Sequence, residues 1–243
     1  MQLARLRELK TSSHLALFLD DGGVLNDNRL RGPEWRRLVG EFMPARMGGT
    51  AQQWARANSK VFPRVWADLQ ERLPGFSSHQ EFQRTYATNW MRAMCAEAGV
   101  TPPADASAVM MYRELSIYVA ERASSAMADA RDAVLSLHQA GYALYTASGT
   151  TSWELQGITA RMGIGGAFRG LYGPDLVDHV KHGAAFYERV FAHSGVTPGN
   201  ALVIESDREC CRWASEAGAH TVWIDSEGRG DATTLRAVAL ALV

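Results

Sequence analysis

The residues best placed to do chemistry in this chain are carboxylates at the ends of short apolar runs. The first is Asp20, in Phe18-Leu-Asp-Asp-Gly-Gly-Val-Leu-Asn26. The run before it reads as a buried strand, so the carboxylate would sit at the strand's C-terminal tip, where open α/β sheets bind ligands. Gly22 and Gly23 let the chain turn sharply around it. A carboxylate there can serve as a nucleophile or hold a hard cation such as Mg2+, which prefers oxygen. The same segment can also be read as an acidic turn that ends a strand. The amides of Gly22 and Gly23 could cradle an anion. A second carboxylate, Glu205, stands in Ile204-Glu-Ser-Asp207 after another apolar run. The chain has three lysines, Lys10, Lys60 and Lys181, so its positive charge is nearly all arginine and each lysine merits attention.

Four short apolar runs have the length and bounds of buried parallel strands: Leu15–Leu19, Ala143–Thr146, Ala201–Ile204 and Thr221–Ile224. The last three alternate with helical patterns, the sign of a doubly wound α/β sheet. Ala130, Val134 and Leu137 repeat at helical spacing before Gly141, Leu155, Ile158 and Met162 before Gly163, and Cys210, Ala214 and Ala217 before Gly218. A final helix is predicted to start with Asp231 as N-cap and to bury Leu235, Val238 and Leu242. Between the first strand and Met127 lie about a hundred residues with no strong strand signal but with amphipathic patterns and Trp35, Trp54, Trp66 and Trp90. This stretch reads as a helical insertion. It is longer than joining neighbouring strands requires, and insertions at strand C-termini tend to cover a site.

Asp20-Asp-Gly-Gly-Val-Leu25 resembles the first motif of the haloacid-dehalogenase-like (HAD) hydrolases. Leu144-Tyr-Thr-Ala-Ser148 resembles the second, Lys181 stands where the third-motif lysine is expected, and Ile204-Glu-Ser-Asp207 followed by Ala217-Gly218 resembles the fourth. The four elements come in family order and span most of the chain. The resemblance implies a Rossmann-like parallel sheet core from residues 1–26 and 127–243, with an α-helical cap of the C1 type at 27–126. It implies metal-dependent hydrolysis of a small phosphorylated metabolite, with Asp20 forming a covalent aspartyl intermediate.

On that resemblance Thr146 would donate a hydrogen bond to a substrate oxygen, or else be a strand-end hydroxyl satisfied by backbone. Ala147, Ser148, Gly22 and Gly23 would line the substrate. Lys181 would screen the charge shared by Asp20 and substrate, or be a solvated loop lysine. Mg2+ would be held by Asp20, Glu205 and Asp207, although Asp207 could instead cap the helix that follows. Two positions depart from the phosphatase pattern. Gly22 replaces the second aspartate, the general acid for the leaving group, and Ser206 replaces a metal-ligating aspartate. Asp21 is adjacent, but on an extended backbone it should face the other way. Metal-independent dehalogenases of the family also lack the second aspartate and carry Ser near the Ser206 position. Their Tyr-Gly-Thr after the nucleophile is absent here, and Cys210 stands where they have a later aspartate. A catalytically weak family member that binds or regulates is a third reading.

The net charge of −1 provides no electrostatic footprint for nucleic acid or an anionic membrane. Cys95, Cys210 and Cys211 have neither disulfide, metal nor redox spacing, which suits a reducing cytoplasm. No apolar run reaches the length of a membrane span, and the first is too short for a signal-peptide core. The expected partner is a small-molecule substrate, and the expected assembly a monomer or homodimer.

Overall fold

The computed structural model describes Leu6 and residues 15–243; Lys10 and His14 lie outside the described residues. The described residues form two compact units, one from those up to Asn28 together with Ser125–Val243, the other from Arg29–Ser124.

The first unit is built on five strands: β1 (Ala16–Leu19), β2 (Ala143–Ala147), β3 (Phe168–Tyr172), β4 (Ala201–Glu205) and β5 (His220–Trp223). All pair in parallel, in the order β3-β2-β1-β4-β5. β1 is central, and the order reverses beside it, which opens a crevice at the strands' C-terminal ends. Leu19 is in register with Thr146 on one side and Ile204 on the other. The ladder runs one step further, since the Asp20 amide donates to the Ile204 carbonyl at 3.0 Å. Because strand side chains alternate between faces, Asp20 shares a face with Ala147 and Glu205, whereas Thr146 shares the opposite face with Leu19 and Ile204.

The Asp20 face packs on a helix later in the chain. Ala16, Phe18, Tyr145, Ala147, Ala201 and Val203 meet the aromatic side of the Ala184–Ser194 helix. Alanines in the sheet leave room for large rings opposite: Phe18 stacks on Tyr145 at 4.9 Å between centroids and meets Phe191 edge-on at 5.2 Å.

The second unit is helical among the described residues, with helices α1 (Asn28–Phe42), α2 (Ala51–Arg72), α3 (His79–Ala98) and α4 (Asp105–Ala120). Trp54 and Trp90 are fully buried in its core, and each indole N–H is satisfied, by the Gly48 carbonyl at 2.7 Å and by Asn58 Oδ1 at 3.2 Å. Met47-Gly-Gly-Thr50 forms the entry to α2: Thr50 caps it in a reciprocal box with Gln53. The first unit's remaining helices are α5 (Ala130–Gln139), α6 (Ser152–Arg161), α7 (Ala184–Ser194), α8 (Arg208–Glu216) and α9 (Leu235–Leu242). No helix among the described residues is long and apolar enough to cross a membrane.

Two expectations need correction here. The sheet has a fifth strand, β3, whose Arg169 and Gly170 interrupt an apolar run; as an edge strand it is only partly buried and needs no continuous apolar stretch. The last helix is capped by Thr234, whose side chain accepts from the Ala237 amide at 3.2 Å. Asp231 is used earlier, accepting from the Trp223 amide at 3.0 Å. Leu235, Val238 and Leu242 are buried as the spacing predicts.

Candidate active site

Asp20 and Glu205 end neighbouring strands on one face, and Lys181 rises between them. Its ammonium lies 2.8 Å from Asp20 Oδ1 and 2.5 Å from Glu205 Oε1. Tyr187, in the first turns of α7, donates its hydroxyl to the same Glu205 Oε1 at 2.8 Å. Glu205 is fully buried, and its other oxygen, Oε2, has no hydrogen-bond partner among the described residues. That is a costly arrangement for a carboxylate unless something else approaches it.

Two carboxylates and one ammonium leave the cluster one negative charge in excess when all are ionised. Burial disfavours the Lys181 charge, but Asp20 and Glu205 together outweigh it and hold the ammonium well above its ordinary range. Burial, then the Asp20 charge, push Glu205 up to about 7 against the pull of Lys181. Burial and the Glu205 charge raise Tyr187, so its phenol remains a donor. Burial likewise pushes the Cys210 thiol up to about 12, which keeps it protonated and unreactive beside this cluster.

The turn after Asp20 is held from within. Asp21 is fully buried; its carboxylate accepts from the Asn26 side chain and from Thr150 Oγ1 at 2.9 Å, and its carbonyl accepts from the amides of Leu25 and Asn26. It is therefore a fastening for the turn and does not stand in for the acid missing at Gly22. Ser206 donates its hydroxyl to the Gly22 carbonyl at 2.6 Å. Gly23 has φ +79°, and a Cβ there would lie 2.6 Å from both Cβ and Oγ of Ser206. Gly23→Ala thus combines a left-handed backbone with a clash, and should cost roughly 2–4 kcal/mol of stability, to be read by denaturant unfolding. An alanine variant as stable as the parent would mean that the turn is not held as tightly as this.

The structure brings Asp20, Lys181 and Glu205 together and assigns other sequence candidates elsewhere. Thr146 lies on the opposite face, fully buried, and its hydroxyl donates to the Tyr172 carbonyl at 3.1 Å. Ala147 is the β2 residue beside Asp20, and it carries no hydroxyl. Ser148, one residue on, is buried and accepts from the Thr150 amide at 3.1 Å, and its own hydroxyl proton has no acceptor among the described residues. Gly149 follows within 4 Å of the Lys181 side chain, judged from where a Cβ would stand. The Gly23 amide is spent on the Asn26 carbonyl at 2.7 Å, so Gly22 and Gly23 do not form an anion cradle together. Asp207 caps α8, accepting from the Glu209 amide at 2.7 Å, and is turned to that task. Tyr187 is the contact that the sequence did not reveal. It is one of several aromatics on an apolar helical face, and nothing in the sequence sets it apart from them.

Among the described residues no group of three or more His, Cys, Asp or Glu side chains is arranged to hold a metal ion. Among the described side chains, a cation at this site would draw on the two neighbouring carboxylates, Asp20 and Glu205. Glu205 Oε2, buried and without a hydrogen-bond partner among the described residues, is the oxygen left for such an ion. Mg2+ commonly uses one or two carboxylates and keeps several waters, so the donor set fits it.

A family model of haloacid dehalogenase-like hydrolases matches residues 15–209. No curated protein matches the chain significantly. Among solved structures, a defluorinating L-2-haloacid dehalogenase is similar with a TM-score of 0.65 at 16% identity, covering 96% of this chain and 97% of that one. The HAD-hydrolase YfnB from Bacillus subtilis, bound to magnesium, has a TM-score of 0.62 at 17% identity, with 89% of each chain covered. A predicted phosphoglycolate phosphatase from Haemophilus somnus has a TM-score of 0.57 at 12% identity, covering 93% of this chain and 96% of that one. At these identities the likeness is one of fold, while the family match runs from the first motif to Ile204-Glu-Ser-Asp207. The chain belongs to the haloacid dehalogenase-like hydrolases.

Proposed function

We propose that this hydrolase is an Mg2+-dependent phosphatase acting on a small phosphorylated metabolite, with Asp20 as nucleophile. The observation that carries the reading is Glu205, fully buried beside Asp20 with Oε2 unpartnered. A buried carboxylate oxygen calls for a partner, and a cation beside Asp20 would supply one.

An Asp20 carboxylate oxygen attacks phosphorus, the P–O bond to the substrate alkoxide breaks, and an aspartyl phosphate forms. Water then attacks that phosphorus, inorganic phosphate departs and the carboxylate is restored. Lys181 offsets the charge that gathers as anion meets anion. The Ser148 hydroxyl and the amides of Gly22 and Gly149, which have no acceptor among the described residues, are donors for the phosphoryl oxygens. Mg2+, held by Asp20 and Glu205, would withdraw charge from the phosphoryl group.

A second reading is metal-independent attack on carbon in a 2-haloacid. It is favoured by Lys181, which already bridges both carboxylates, and by Gly22, since a halide leaves without a proton. A screen of phosphorylated metabolites and 2-haloacids, with Mg2+ and with chelator, separates the two. Phosphatase activity should fall at least about 100-fold in chelator and return with Mg2+, as removal of several kcal/mol of charge stabilisation requires. Haloacid turnover undiminished by chelator would instead establish the second reading, and no turnover of either class would favour a binding role.

A further inference from the structure

We propose that Tyr187 is a positioning residue for the cation site, pinning Glu205 through Oε1 so that Oε2 is the oxygen presented to the metal. The inference rests on the Mg2+-dependent reading above.

Glu205 has two carboxylate oxygens with very different surroundings. Oε1 is paired with Lys181 Nζ at 2.5 Å and accepts from Tyr187 Oη at 2.8 Å, while Oε2 accepts nothing among the described residues and is shut off from solvent. Lys181 alone would not maintain this asymmetry. It also serves Asp20, and an ammonium has no directional preference between the two oxygens of a carboxylate. The phenol is different, because its oxygen has one place to be. The Tyr187 ring is fully buried, packed edge-on against Phe186 at 5.2 Å and tilted against Phe191 at 6.5 Å. α7 itself is laid along the sheet by Phe186, Val190 and Phe191.

The packing of this ring does not require its hydroxyl. Phenylalanine would fill the same apolar space and bring no polar atom into it, so the hydroxyl's own burial is offset only by its bond to Glu205. Outer partners of metal-holding carboxylates orient them, and losing such a partner typically lowers metal affinity by about 10–100-fold. Tyr187 stands in that relation to Glu205 without reaching the cation itself.

The test is calorimetric titration of the full chain with Mg2+, comparing wild type, Tyr187→Phe, Glu205→Gln and the double variant, with thermal unfolding in the absence of Mg2+ run alongside. The expected result is wild-type binding that weakens about tenfold or more in Tyr187→Phe, with little change in the metal-free melting temperature. In the Glu205→Gln background, Tyr187→Phe should then lower affinity no further, because the group it orients has already lost its charge. Binding by Tyr187→Phe equal to that of wild type would overturn the role of Tyr187 and leave the metal reading standing. A wild-type protein that takes up no Mg2+ would overturn the metal reading and this role with it.

Discussion

Asp20→Asn should abolish hydrolysis, with a loss of at least ~10³-fold, while leaving a protein that folds as before. The size follows from removal of a covalent catalyst: the amide is close to isosteric but is a poor nucleophile at phosphorus or carbon. That the fold should survive follows from the local charges. Asp20 and Glu205 compete for one ammonium, so removing the Asp20 charge leaves Lys181 paired with Glu205 and brings the cluster to neutrality. One source of the upward push on Glu205 disappears at the same time. The melting temperature of the variant should therefore match or exceed that of the parent. The measurement is initial rate on the best substrate of the screen, alongside a thermal melt. Near-normal turnover by folded Asp20→Asn protein would remove Asp20 from the chemistry under both the phosphatase and the dehalogenase readings, which share this nucleophile.

Where a strand tip is marked by a sharp boundary between apolar and charged residues, the carboxylates of the candidate site were legible in the sequence. Asp20 and Glu205 each follow four buried residues, and two such runs placed side by side in a parallel sheet bring the carboxylates together. Lys181 was conspicuous because lysine is so scarce here. Thr146 takes the second of the two roles its position allowed, a hydroxyl satisfied by backbone, and in a strand one residue is the whole difference between faces. Reading Thr146 as the strand end put its hydroxyl at the site, whereas β2 continues to Ala147 and turns that hydroxyl into the sheet's other face. β3 escaped for a related reason: a half-exposed edge strand carries too few apolar residues to stand out from a loop. Tyr187 could not be singled out, because its tie to Glu205 depends on how α7 lies on the sheet, and helical periodicity specifies only which face is apolar.

The glycine at position 22 allows the sharpest discrimination between the readings. Family resemblance places there an acid that would protonate a departing alkoxide, and Asp21 cannot replace it, since Asn26 and Thr150 engage both its oxygens. An aryl phosphate leaves as a stabilised anion and hardly needs the proton, but an alkyl phosphate does. General acid assistance is typically worth 10²–10⁴-fold. The protein should therefore hydrolyse activated aryl phosphates measurably and most alkyl phosphates far more slowly. Gly22→Asp should raise the alkyl rate selectively by roughly 10²-fold or more. The backbone permits this substitution, because Gly22, unlike Gly23, does not occupy the left-handed region. A Cβ at position 22 would approach Asn28 Oδ1 at 2.9 Å, and the contact is with the far end of an exposed side chain that can swing aside. Rates on matched aryl and alkyl phosphates, with folding checked by thermal melt, provide the measurement. If folded Gly22→Asp protein keeps the parent's alkyl-to-aryl ratio, leaving-group protonation is not what the site lacks. The carbon–halogen reading, in which no proton is needed, then becomes the stronger account of why glycine stands there.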